Sequence, residues 1–354
     1  MLELLRELVE IESPTYSPGV RAVAARIGLE LESLGVSVTI HEGAHLVAEL
    51  PGAGEPLLLL GHADTVWPVG TLDSMPFRVD GDRAYGPGVY DMKACLVVLL
   101  EAIRLAGAER RALRVFVTAD EEMGSPTGRA WIEQAADGVA AALVVEPPGP
   151  DGNLKTARKG LGRFRLTVKG RPAHAGTHRA EGASAIEELA HQVLALHDLN
   201  DEERGVSVNV GVVEGGTSES VVAAEAEAKV DVRIVRAADR EPVERALEGL
   251  RPATPGTSLE IGGGWTRPPL EPTAGSAALF AQARQHGLEL GLDLKESSSG
   301  GGSDGNIVGA LGVPVLDGLG AEGGGAHAPD EHVVVSSLPV RAQLLAQLLR
   351  NPGL

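Results

Sequence analysis

The stretch PLLLLGHADT, Pro56 to Thr65, decides the fold. Four successive leucines leave no polar face, so a strand here must be buried on both sides, as in a sheet covered by helices. The run breaks at Gly61 and passes at once to His62 and Asp64. Two further runs have the same form. ALRVFVTA is followed by Asp120, Glu121 and Glu122, and AALVV is followed by Glu146. Between the first two lies DMKACLVVLLEAIRLAG, which reads as a helix with Asp91 at its start, where an acid satisfies free N–H groups. Strands and helices alternating in this way predict an α/β domain with a largely parallel sheet.

Working outward, residues 1 to 34 read as helical with a break at SPTYSPG, and VSVTIHEG and HLVAEL read as strands. The pattern changes near residue 159. Strand GRFRLTVKG, helix SAIEELAHQVLALHDL, strands VSVNVGVVEGG and EAEAKVDVRIV, helix REPVERALEGL and strand SLEIGGG follow in turn. The order β-α-β-β-α-β is that of the ferredoxin-like unit. After Trp265 the α/β pattern resumes, with a helix, the Ser/Gly-rich loop SSSGGGSDGN, strand VPVLDGLG and a closing helix. The expected organisation is one α/β domain in two parts, 1–158 and 267–354, interrupted by a module at 159–266.

The chain has 354 residues, enough for two cores. Its 49 acids against 31 bases give a formal charge of −18, which argues against nucleic acid and anionic membranes as partners. Cys95 is the single cysteine, so no intramolecular disulfide forms, as fits a reducing compartment. The N-terminal MLELLRELVEIESPT mixes acids among its leucines and reads as an amphipathic helix, not a signal peptide. No apolar run approaches the ~18 residues that span a bilayer. The cytoplasm is the expected location.

His62, Asp91, Glu121, Glu122 and Glu146 follow predicted buried strands or begin a helix. In open α/β sheets the carboxyl ends of the strands form the ligand crevice, so these residues should converge. His327, in GGGAHAPDE, is a further candidate, favoured over His332. Acids gathered in one crevice need positive charge or they take up protons. No Lys/Arg cluster adjoins them, so bound divalent metal is the economical answer. Two histidines with several carboxylates suit zinc, with cobalt or manganese as alternatives. Asp64 would accept from the far ring nitrogen of His62 and fix its orientation. The Gly-rich GGGSDGN lacks the lysine of a phosphate-cradling loop.

GHADTVWP, GPGVYDMKA, ADEEMGS, VVEP, GRPAHAG, GGTSESVVAAEAEAKVDVR, GGGSDGN and GAHAPDE occur in this order. Together they resemble the M20 family of di-zinc metallopeptidases, nearest its glutamate carboxypeptidase branch. The resemblance implies a zinc-peptidase-like α/β catalytic domain interrupted by a ferredoxin-like lid through which the chain forms a homodimer. It implies two Zn2+ per chain: Asp91 bridging, His62 and Glu146 at one site, Glu122 and His327 at the other. Glu121 would be the general base, and His174 would reach across the dimer to stabilise an oxyanion. Asn209, Arg233 and Arg267 would contact substrate from the lid or its exit, and Gly302 and Ser303 would line the pocket. Where the family often has glycine, this chain has Ala94-Cys95.

The implied reaction is hydrolysis of an amide or peptide bond beside a free carboxylate, releasing a C-terminal amino acid such as glutamate. An N-acyl-amino-acid deacylase of the acetylornithine or succinyl-diaminopimelate kind is the alternative hydrolase. A non-catalytic peptide-binding homologue would lack a ligand or the base, and all are present. A carboxylate-pair glycosidase would need no histidine ligands.

Overall fold

The computed structural model describes residues 1–354. The chain divides into two compact units, one formed by Met1–Arg158 with Leu270–Leu354 and one by Lys159–Pro269.

The first unit is built on a six-stranded sheet. Its spatial order is Val38–Ile40, Leu46–Leu50, Arg111–Thr118, Ala53–His62, Ala141–Val144 and Val315–Leu316. The last four strands run parallel, and the first two join antiparallel at one edge. The leucine run lies in the interior strand and is buried throughout. Its side chains alternate, as a strand requires. Leu57 and Leu59 pack with the helices Ala94–Ala106 and Ser337–Arg350, while Leu58 and Leu60 pack with Phe116, Ile132 and Ile307 on the other face. Both faces are therefore apolar, which is why the sequence shows no alternation there.

Three local features differ from the sequence reading. The helix after Asp91 begins at Ala94, and Asp91 sits in the wide turn Val89–Lys93 before it, with no capping role. Part of the Ser/Gly-rich segment is a strand, Glu296–Ser299, paired parallel with Leu154–Arg158. A small sheet orders Gly323–Gly324, His332–Val334, Arg83–Tyr85 and Arg78–Asp80, and the hairpin between its first two strands carries His327. Strands this short leave no usable period in a sequence.

The second unit is a four-stranded antiparallel sheet in the order Ser207–Gly215, Glu225–Ile234, Gly160–Lys169 and Ser258–Arg267. The helices Ala185–His197 and Arg240–Glu248 complete it. Leu189, Leu196, Val243 and Leu247 join Leu166, Val168, Val230 and Val232 in one core. The element order is the β-α-β-β-α-β read from the sequence. The return to the first unit falls at Leu270 instead of residue 267, because Arg267 still pairs with Leu161 in the sheet.

Candidate metal centre

Three parallel strands deliver His62, Glu121, Glu122 and Glu146 at their carboxyl ends, while Asp91 comes from the turn Val89–Lys93 and His327 from the hairpin of the small sheet. Ala53–His62 ends on His62 itself. The nearest partner of its Nδ1 is the main-chain carbonyl oxygen of Asp64 at 2.9 Å, with the Asp64 carboxylate at 3.3 Å. The expected carboxylate contact is thus present but secondary, because the strand stops at His62 and the chain turns back on its ring. Asp64 is fully buried and accepts from Thr15 Oγ1 at 2.7 Å and from the main-chain N–H groups of Glu121 and Glu122 at 3.1 and 3.2 Å. It therefore holds two of the converging loops at once.

The other nitrogen of His62, Nε2, lies 3.2 Å from Asp91 Oδ1 and 3.6 Å from Glu146 Oε1. His327 Nε2 lies 3.5 Å from Asp91 Oδ2 and 3.4 Å from Glu122 Oε2. The five residues thus form two groups of three that share Asp91, one oxygen to each. Ligand atoms of His62, Asp91 and Glu122 lie within 4.8 Å of one another. Glu122 Oε1 is buried with no hydrogen-bond partner.

The electrostatics show what this cluster lacks. Burial raises the Glu146 pKa to about 7, with the Asp91 charge adding to it and Arg158 opposing. Burial and the Asp91 charge also raise Glu122. Burial works against ionised Asp91 as well, but the His327 and His62 contacts outweigh it and hold its carboxyl well below the usual range. Hydrogen bonds to Asp91 and Glu122 push His327 up to about 10. Burial disfavours charged His62, yet Asp64 and Asp91 hold its pKa well above the ordinary value. Three carboxylates thus compete for two imidazolium charges. Two imidazole nitrogens, three carboxylates and an orphaned oxygen fit a pair of divalent cations, which would replace those protons.

Glu121 begins the single turn Glu121–Met123, next to Glu122 but outside the five-residue donor set. Behind the site, Arg158 is buried and pairs with Asp317 through two bonds of 2.7 and 2.8 Å. It also approaches Glu146 Oε2 at 3.5 Å and donates to the carbonyl of Gly302 at 3.1 Å. The Ser303 hydroxyl donates to Asp317 at 2.6 Å and is fully buried. Gly302 and Ser303 therefore belong to this buried network, with the Ser303 hydroxyl proton engaged by Asp317. Arg158 and Asp317 are not legible as a pair in the sequence. They lie 159 residues apart in sequence and carry no motif.

Four expected residues lie in the second unit. His174 is exposed, and its Nδ1 accepts from the N–H groups of Gly176 and Thr177 at 3.1 and 3.2 Å. The proton therefore belongs on Nε2. Asn209 is exposed on the edge strand. Arg233 is tied to Asp231 by bonds of 2.7 and 3.1 Å, the strand pairing that competes with a substrate role. Arg267 is buried at the end of the last strand.

The sequence profile of peptidase family M20/M25/M40 matches residues 58–351. Carboxypeptidase G2 of Pseudomonas sp. (strain RS-16) is 30% identical over 370 residues, covering 100% of this chain and 89% of that protein. Succinyl-diaminopimelate desuccinylase of Thioalkalivibrio sulfidiphilus (strain HL-EbGR7) is 27% identical over 322 residues, 84% of each chain. Among solved structures, the M20 family metallo-carboxypeptidase Sso-CP2 of Sulfolobus solfataricus superposes with a TM-score of 0.82 at 19% identity, covering 99% of both chains. The chain belongs to peptidase family M20, whose members are metal-dependent peptidases and amidohydrolases.

Proposed function

We propose that this chain is a two-cation carboxypeptidase, cleaving an amide bond beside a free carboxylate and releasing a C-terminal amino acid such as glutamate. The observation that carries the reading is Asp91, with one oxygen beside His62, which also approaches Glu146, and the other beside His327, which also approaches Glu122. His62, Glu146 and Asp91 would hold one cation, and Glu122, His327 and Asp91 the other. Zn2+ suits the donor set, and Co2+ or Mn2+ would substitute. When bound, the pair supplies Lewis-acid polarisation of the scissile carbonyl and makes water a nucleophile near neutral pH.

The protein's own residues handle protons and position. Asp64 orients the His62 ring and aligns the turn that presents Glu121. Glu121 would take the proton of the attacking water and deliver it to the leaving nitrogen. His174, protonated on Nε2, has the tautomer that an oxyanion donor needs. In a homodimer it would serve the partner's site. Dimerisation through the second unit is supported by its edge strand Ser207–Gly215 and by the exposed Ile186, Leu194, Val212 and Val213. Arg267 is assigned the substrate carboxylate, Asn209 would contact substrate from the opposite edge of the sheet, and Arg233 would first have to leave Asp231. A small acyl amino acid or short peptide is the substrate class.

The likeness to a desuccinylase supports a second reading, removal of an N-acyl group from an amino acid. A cation-reconstituted screen over dipeptides and N-acyl amino acids separates the two. Chelation should abolish turnover and cation return should restore it. Glu121→Gln should lose about 10²- to 10⁴-fold in kcat with cation content unchanged. Wild-type turnover in that variant overturns the mechanism.

A further inference from the structure

Glu331 lies four residues after His327 and is fully buried. Its carboxylate has four donors, none from an arginine or lysine. Oε2 accepts from Trp67 Nε1 at 2.6 Å and from the Gly88 N–H at 3.0 Å. Oε1 accepts from the N–H groups of Tyr90 and Asp91 at 2.9 and 3.0 Å. Three of these belong to the turn that presents Asp91, and the fourth lies just beyond His62. The Glu331 N–H donates to the carbonyl of Ala328 at 2.9 Å and closes the turn 328–331, which directly follows the turn 325–328 that carries His327. The next residues, His332–Val334, are held between Gly323–Gly324 and Arg83–Tyr85.

One residue therefore ties the three loops that bear His62, Asp91 and His327. Asp91 needs this most, because it sits in neither helix nor strand and takes no register from the sheet. We propose that Glu331 is a positioning residue for the two-cation site: its buried carboxylate fixes the main chain of Asp91 and so ties that turn to the loop, four residues upstream of Glu331, that carries His327. This rests on the two-cation reading. Glutamine has the same shape but a single acceptor oxygen, and its amide N–H groups would face main-chain N–H donors, so Glu331→Gln frees the turn. Trp67→Phe removes one donor and leaves the carboxylate. Glu188→Gln removes a comparable buried carboxylate from the second unit and serves as the control.

The experiment is titration of Zn2+ and Co2+ into chelator-treated full-length protein, with kcat and KM measured beside it. Wild type should bind about two cations per chain. Glu331→Gln should bind them about 10- to 100-fold more weakly, with kcat lowered more than KM is raised. Glu188→Gln should lose stability and keep wild-type cation affinity. Wild-type affinity in Glu331→Gln, with a folded circular-dichroism spectrum, overturns the proposal. Should that variant not fold, Trp67→Phe decides: a several-fold loss of affinity supports the proposal and an unchanged affinity overturns it. A wild type that binds no cation overturns the two-cation reading itself, and this proposal with it.

Discussion

Asp120, Glu121 and Glu122 coexist because the backbone gives each a different environment. Asp120 is buried, and its Oδ2 accepts from both the N–H and the hydroxyl of Thr127 at 2.7 Å. Its main-chain carbonyl accepts from Met123 and Ser125 and closes the turn. Glu121 and Glu122 then project from that turn, with their N–H groups on Asp64. The sequence marks three adjacent acids after a strand but assigns no job to Asp120, since Thr127 lies outside any helical or strand period. Asp64 is the residue to test. Asp64→Asn replaces an acceptor oxygen with a donor, facing the N–H of Glu121 or Glu122. Steady-state kinetics should show about a 10- to 100-fold loss of turnover, with the circular-dichroism spectrum unchanged.

The contact between the helix Ala94–Ala106 and the loop after Val315–Leu316 accounts for the Ala94-Cys95 departure. The Cys95 sulfur lies over Gly320, accepts from the Ala321 N–H at 3.3 Å and donates to the Tyr90 carbonyl at 3.5 Å. A side-chain carbon at Gly320 would fall 2.3 Å from that sulfur and 2.4 Å from the Val145 carbonyl oxygen. The Gly320 N–H also bonds the Glu146 carbonyl at 3.0 Å, so the space is kept beside a candidate ligand. Gly320→Ala should destabilise the protein by about 1–3 kcal/mol in denaturant unfolding. Adding Cys95→Gly to that variant removes the sulfur from the crowded contact and should recover part of the loss.

Across the whole molecule, each unit has its own core and its own buried polar anchors. In the second unit Glu188 is buried and accepts from Gln192 Nε2 at 2.6 Å and from the N–H groups of Ala253 and Thr254 at 2.9 and 2.5 Å. Burial raises its pKa, but these donors outweigh burial and the net shift is downward. With the folded pKa below the unfolded one, the carboxylate stabilises above the unfolded value of about 4.3, and that contribution fades as pH falls through the folded pKa. Glu188→Gln should therefore cost about 1.5–3 kcal/mol near neutral pH. Denaturant unfolding in strong acid should show the difference from wild type shrinking towards zero. By itself, the sequence determined the two kinds of unit, because apolar runs and alternation follow directly from which strand faces are buried. It also marked His62, Glu122 and Glu146 as candidates, because polar residues directly after apolar strands are recognisable, whereas Asp91 and His327 were marked by the motifs around them. The division of those residues about Asp91 was implied by the resemblance alone; only the tertiary structure gave it a geometry, one Asp91 oxygen beside His62 and the other beside His327. Only it revealed Arg158, Asp317, Glu188 and Glu331 as anchors. A buried carboxylate held by main-chain N–H groups from distant segments leaves no periodic trace, since its partners are backbone atoms that every residue possesses.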